Sequence, residues 1–279
     1  MRLSCLFLAF FIGSILQTSA QDPVQIIDKM RAAISKINQS SFELHSKERF
    51  GEEYLSKKMK FRMQERPKKV YMKDMDKGVE LLYVDGWNKN KGYINPAGFP
   101  WINVSLSVYD SRVVEENHHT VFDAGLGFVN TLLNGFEGTV KKAGKDRKSL
   151  YTYKEVVRYN GRSCHKLYIT PPVDFKYRTY TVKEDIKLIP LSRKIVASEF
   201  LIKEKNNLSY TRTIRKGTQL NVPTAYAKKV IVYIDTKTYL PVVQMLYDDK
   251  GLLEKYEYKN ISTYPKFGSQ EFTTDCEHD

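Results

Sequence analysis

"KKMKFRMQ", residues 57–64, alternates basic and apolar side chains from Lys58 to Met63. Met59, Phe61 and Met63 fall on one side, and Lys58, Lys60 and Arg62 on the other. A period of two marks a β-strand with one buried face. The same pattern continues outward. "KKVYMKDM" (68–75), "VELLYVDG" (79–86) and "KGYINP" (91–96) are short apolar runs separated by Gly, Asp and Asn turn residues. Further on, "YTYKEVVRY" (151–159) and "SCHKLYIT" (163–170) flank an Asn160-Gly161 hairpin signal. "AKKVIVYID" (227–235), "LPVVQMLYDD" (240–249) and "LLEKYEYKNIS" (252–262) complete the series, and Val230, Val232 and Ile234 alternate with Ile231 and Tyr233. Short connections and tight turns predict an antiparallel meander.

Two stretches break this period. In "DPVQIIDKMRAAISKI" (22–37), Val24, Ile27, Met30, Ile34 and Ile37 recur every three or four residues, with Asp22 as cap and Pro23 at the first helical position. "TVFDAGLGFVNTLLNGF" (120–136) places Phe128, Leu132 and Phe136 four apart. Both predict amphipathic helices. One sheet facing two apolar helix stripes needs a shared interior, which a sheet curved around the helices supplies. The expected class is α+β.

The N-terminus reads as an export signal. Arg2 precedes the apolar "LFLAFFIGSIL", and "TSA" offers small residues for cleavage after Ala20. Removing residues 1–20 leaves 44 basic against 32 acidic side chains, a net charge of about +12. Such a surface favours anionic lipid head groups or cell-wall polymers. Export excludes nucleic acid as a partner, and no other stretch reaches membrane length, so membrane contact is peripheral at most. Cys164 and Cys276 are a candidate disulfide, which would contribute about 4–5 kcal/mol; two separate thiols are the alternative.

The pieces "RPKKVYMK" (66–73), "GVELLYVDGWNKNKGYINPAGFPWINVSLS" (78–107), "NHHTVFDAG" (117–125) and "YIDTKTYLPVVQMLYDDKGLLEKYEYKNI" (233–261) together resemble the family DUF1571. That family is related to the LolA-like lipoprotein-carrier fold. The resemblance covers most of residues 40–178 and 224–265. It implies an unclosed antiparallel half-barrel covered by helices, of the kind that holds acyl chains. It assigns no individual ligand residue, because such folds bind with a distributed apolar lining. From the alternation and the helix stripes, the candidate lining is Met59, Phe61, Met63, Leu82, Phe128, Leu132, Val230, Val232 and Ile234. The same residues would also build a filled core.

Residues 180–223, "YTVKEDIKLIPLSRKIVASEFLIKEKNN…IRKGTQLNVP", resemble a LysM module. Tyr180 and Val182 match its first strand, and Leu188 opens the first helix. Ser198, Leu201 and Asn206 mark the second helix, and Gly217 turns into the closing strand. The resemblance implies a βααβ unit with a shallow groove for N-acetylglucosamine polymers such as peptidoglycan. The groove would comprise Glu184, Asp185, Ile186 and Lys187 in one loop and Asn206, Asn207 and Leu208 in the other. The Gly-Asp-Thr typical of the first loop is replaced here by Asp185-Ile186-Lys187. That adds a Cβ where a sugar would approach and removes a helix cap, which Asp185 can restore from one position earlier. Glycan binding and a purely structural or partner-contacting role both stay open. The expected organisation is a signal at 1–20, a half-barrel at 21–178 and 224–279, and an inserted module at 179–223.

No catalytic constellation emerges. His118-His119, with Glu115, Glu116 or Asp123, suggests a metal site. Adjacent side chains on a regular element diverge, however, so a hydrogen-bonded approach to the second helix is the plainer reading. "GTVKKAGKD" (138–146) imitates a phosphate loop but is one residue too long and ends in Asp146. The basic "KKAGKDRK" (141–148) reads as a solvated loop. No cofactor and no metal are expected. The functional expectation is a non-enzymatic, exported envelope protein, in the periplasm of a Gram-negative bacterium. It would carry a lipid or a lipoprotein acyl chain, with the inserted module touching peptidoglycan or a partner. A peptidoglycan-associated scaffold with a filled core is the alternative.

Overall fold

The computed structural model describes residues 21–98, 102–268 and 270–274. The export signal and Cys276 lie outside the described residues. Helix α1 (Pro23–Ser35) starts where Asp22 accepts a hydrogen bond from the Val24 amide, 2.9 Å away. Strands β1 (Gln39–Phe50), β2 (Glu53–Gln64), β3 (Lys69–Asp74), β4 (Glu80–Val84), β5 (Gly92–Asn95) and β6 (Val104–Leu106) follow. A short helix α2 (Ser111–Val114) and a long one, α3 (Phe128–Lys142), precede β7 (Tyr151–Tyr159) and β8 (Arg162–Ile169). The chain closes with β13 (Lys229–Asp235), β14 (Pro241–Asp248) and β15 (Gly251–Ser262).

These strands form one antiparallel sheet of eleven, in the order β6-β5-β4-β3-β2-β1-β15-β14-β13-β8-β7. Register shifts in the β1–β15, β13–β14, β14–β15 and β7–β8 pairs add the local bend and twist that a curved sheet needs. The Asn160-Gly161 turn has both residues at positive φ, 47° and 73°, as a two-residue hairpin requires. The concave face carries Phe42, Leu44, Phe61, Met63, Leu167, Val230, Val232 and Ile234, and α1 and α3 pack their apolar stripes onto it. Among the described residues, no helix is long and apolar enough to cross a membrane.

Between β8 and its sheet neighbour β13, residues 170–228 leave the sheet. They contain β9 (Tyr177–Thr181), β10 (Ile186–Lys187), α4 (Leu188–Ile195), α5 (Glu199–Asn206), β11 (Thr213–Ile214) and β12 (Gln219–Pro223). β9 pairs antiparallel with β12, and β10 with β11. This insert has its own apolar centre, including Val182, Leu188, Leu191, Ile202, Leu220 and Val222. Ser198 caps α5 at the Leu201 amide, and Gly217 turns at φ +87°.

Three expectations are corrected. The second helix begins at Phe128, because residues 121–123 form a separate turn of 3₁₀ helix before Gly125 and Gly127. Leu82 faces away from the concave side and packs with Tyr71, Val84 and Phe272 on the convex one. Asp185 does not cap α4, which starts without any side-chain cap; its carboxylate binds Arg215 and the Lys216 amide instead. Cys164 is fully buried on the convex face beside Val242 and Val243, and burial pushes its thiol up to about 11.

Helix α3 meets the insert at very short range. A Cβ at Gly135 would lie 2.5 Å from Cγ1 of Val196, the residue that ends α4 at φ +55°. In an open helix, Gly→Ala stabilises by about 1 kcal/mol. Here Gly135→Ala is expected to destabilise by about 1–3 kcal/mol, because the β-branched Val196 has little freedom to withdraw. Chemical denaturation checks the sign, and Val196→Gly in the same chain should restore most of the loss.

Candidate ligand site

A small apolar cavity of about 60 Å³ lies between the concave face and the strap formed by residues 107–127. Leu44, Met59, Phe61, Met72 and Leu81 line its floor, Val113, Val121 and Phe128 its roof, and Tyr256 and Tyr258 one side. Of the residues expected from sequence to line a ligand site, Met59, Phe61 and Phe128 are placed here. Met63, Leu132, Val230, Val232 and Ile234 are packed into the continuous core instead, and Leu82 is on the other face. The period-two pattern marks a buried face but not which stretch of it stays unfilled.

One wall of the cavity is polar, and this wall fastens the strap. Glu254, on β15, has no exposed surface. One of its carboxylate oxygens is 2.9 Å from Nδ1 of His118 and the other is 3.0 Å from Nε2 of His119. His118 places Nε2 2.9 Å from the Arg49 carbonyl, and its backbone amide donates to Glu48 at 3.1 Å. Tyr256 donates to the other Glu48 oxygen at 2.5 Å. The His118 ring stacks on Phe200 of α5, with centroids 3.6 Å apart.

His119 bridges sheet and insert. Its Nδ1 is 3.1 Å from Glu199 at the start of α5, and the Tyr226 hydroxyl is 3.3 Å from Nε2. Arg193 of α4 sits 2.9 Å from Asp123 on the strap and 3.4 Å from Glu199. Burial opposes charge on the imidazole, but Glu254 and Glu199 overcome it and hold His119 well above the ordinary histidine range. The same interaction works in reverse on Glu254. Burial would raise its carboxyl, yet the facing His119 and His118 bring it down to about 2.

His118 and His119 were expected to diverge. They converge on one carboxylate, because residues 115–119 belong to neither a helix nor a strand and no fixed side-chain alternation applies. Glu199, Arg193 and Glu254 are far away in sequence, and nothing local could have revealed them. His119, Asp123 and Glu199 bring potential metal-binding atoms within 4.8 Å of one another. Arg193 already supplies positive charge to both carboxylates. Of the three acids weighed from sequence as partners of these histidines, Asp123 joins the cluster, while Glu116 pairs with Lys57 and Lys77.

The groove residues expected in the insert are largely engaged within it. Asn206 exchanges hydrogen bonds with the Asn221 backbone at 2.7 and 2.9 Å, and Asn207 ends α5 at φ +51°. Glu184 pairs with Lys194, Leu208 and Ile186 pack on the insert's apolar centre, and Lys187 stands at the start of α4.

His119 gives a signed pH dependence. Its folded value is raised, so its contribution is complete below about 6.5 and is lost as pH rises towards that folded value. Within this window each pH unit should remove about 1.4 kcal/mol of stability through this group. His119→Gln is expected to cost about 3–5 kcal/mol at low pH, where the buried pairing is intact. Urea melts of both proteins from mildly acidic to alkaline pH should show the gap narrowing as pH rises. A gap that stays constant would mean His119 is not the charged partner.

In overall shape the chain is similar to MucB, at 13% identity over 92% of this chain, with a TM-score of 0.46; it spans 64% of the MucB chain. It is also similar to the lipoprotein LppX of Mycobacterium tuberculosis, at 10% identity over 88% of this chain and 99% of that one, with a TM-score of 0.42. A LolA superfamily protein from Nitrosomonas europaea gives 8% identity over 92% and 99% of the two chains, with a TM-score of 0.30. No curated protein matches the sequence. Residues 37–188, more than half of the chain, match the profile of DUF1571, a family described as a protein of unknown function, and the chain belongs to that family.

Proposed function

We propose that this is an exported, non-enzymatic binding protein of the cell envelope whose half-barrel receives an apolar chain, such as a lipid or a lipoprotein acyl group, beneath the 107–127 strap. The observation that carries the reading is the apolar cavity at the strap's underside. At about 60 Å³ it is far below the roughly 150 Å³ of an engineered cavity that admits benzene. A chain-length ligand therefore requires part of the strap to yield.

The two ends of the strap differ in how firmly they are held. Residues 118–123 are pinned by the buried histidine–carboxylate network, where losing one partner costs several kcal/mol. The side of α2 that faces β3 is held by Glu116, half exposed, pairing with Lys57 and Lys77. The Glu116–Lys77 pair is half exposed on both sides and contributes about 0–1 kcal/mol, whereas Lys57 is more shielded. The α2 side is the one expected to open, with Met59 and Met72 as adaptable floor residues.

The insert, read as a LysM-like module, serves in this proposal as a brace. Its Arg193, Glu199 and Phe200 fix the pinned end of the strap, and Val114 holds α2 to its apolar centre, so opening parts α2 from the sheet while that contact to the insert is kept. A filled-core scaffold is the second reading, favoured by the small volume.

An uncharged dansyl-alkyl probe separates the two. Saturable binding by the delipidated protein is expected, and Met59→Trp, which fills the cavity, should weaken it about tenfold or more without lowering the melting temperature. No saturable binding would favour the scaffold. In sedimentation with purified peptidoglycan at high salt, the protein should remain in the supernatant, because Glu184, Asp185 and Asn206 of the candidate groove are already engaged within the insert. Retention that chito-oligosaccharides compete away would restore a glycan role for the insert.

A further inference from the structure

A second pocket, of about 200 Å³, opens beside the apolar cavity and shares Met72, Leu81, Val113 and Asn117 with it. The two therefore adjoin across these shared side chains, apolar on one side and charged on the other. Lys57, Lys77 and Arg112 line the charged end, with Asp74 and Glu116 opposite. Lys57 continues the inward row of β2. It stands two residues before Met59, so Lys57, Met59, Phe61 and Met63 follow one another along the concave face. A cation thus heads an apolar row.

We propose that the bound ligand is an anionic amphiphile whose carboxylate or phosphate head replaces Glu116 between Lys57 and Lys77. The inference rests on the strap reading above and adds the chemistry of the head group. In the closed form, one oxygen of Glu116 lies 3.3 Å from Lys57 and 2.7 Å from Lys77. Lys57 also donates to the Asn117 side chain at 3.2 Å. Both partners of Lys57 are on the strap, and its own side chain is only 11% exposed.

Asp74 accepts hydrogen bonds from the Asp76 and Lys77 amides of its own turn and favours the charge on Lys77, but it makes no ion pair with Lys57, and Arg112 is held by Asp110 one residue before α2. When α2 swings away from β3, Lys57 loses both partners at the edge of the apolar floor, where an anion can supply charge-assisted hydrogen bonds in their place. A neutral head cannot. Glu116 therefore acts as an internal substitute for the head group, and strap opening and anion binding are coupled through Lys57.

The test uses the delipidated mature protein and displacement of the dansyl-alkyl probe by four amphiphiles of equal chain length: a fatty acid, a lysophosphatidic acid, the fatty-acid methyl ester and a monoacylglycerol. The two anions should bind about tenfold or more tightly than the neutral pair, as expected for charge-assisted hydrogen bonds. The fatty-acid and lysophosphatidic-acid arms separate a carboxylate from a phosphate preference. Lys57→Gln and Lys77→Gln should each remove most of that advantage, read as the ratio of charged to neutral affinity, because any easing of strap opening acts on both classes alike. Glu116→Gln removes the internal competitor and should tighten anion binding several-fold; it also keeps the idea testable if Lys57→Gln folds poorly. Equal affinity for charged and neutral chains, or Glu116→Gln weakening both classes alike, would overturn the head-group assignment while sparing the strap reading. Binding of no chain at all would overturn both.

Discussion

Three parts of this molecule are joined through one buried carboxylate. Glu254 sits on β15 near the middle of the sheet, and His118 and His119 of the strap each take one of its oxygens. His119 then reaches Glu199 of the insert. With no exposed surface at Glu254, the interaction is strong only because every partner is in place, and an unpaired carboxylate there would be expensive. The network need not make the fold more stable than an apolar filling would. Its effect is positional: one sheet residue determines where the strap crosses and where the insert docks.

That constraint explains how an insertion between adjacent strands is tolerated. β8 and β13 are direct neighbours in the sheet, so a connection between them needs only a short turn. The insert leaves and returns through β9 and β12, which pair antiparallel and keep its ends together. Left there, it would be a separate small body on a loop. Phe200 stacked on His118, Glu199 on His119 and Arg193 on Asp123 tie it to the strap that covers the candidate site. Gly135 of α3 permits the close approach of Val196 on the adjacent side.

The parts legible in the sequence were those set by local rules. The alternation in β2, the cap and stripe of α1 and the Asn160-Gly161 turn all depend on residues within a few positions of one another. The expectation for Leu82 failed for a local reason as well. Leu81, Leu82, Tyr83 and Val84 are all buried, two faces of β4 being covered, so the run carries no alternation from which to choose a side. The histidine–carboxylate network failed for a different reason. His118 and Glu254 are 136 positions apart, and their meeting follows from strand order rather than any motif. The cavity is a third case: whether an apolar face is filled depends on packing volumes that a pattern of residue types does not contain.

Strap and sheet together make a graded fastening. At residues 118–123 the contacts are buried, charged and mutually dependent. At α2 they are half exposed and screened by solvent, apart from Lys57. This asymmetry matters because a uniformly weak strap would leave the apolar floor open to water, whereas a uniformly strong one would keep any guest out. The buried end supplies a fixed hinge, and the exposed end sets the energy of opening. Lys57 lies between the two regimes, shielded enough to need a partner yet near enough to the surface to exchange one. The selectivity of such a site would therefore be decided at its charged rim, because an apolar floor cannot distinguish one hydrocarbon chain from another by more than a small factor per methylene.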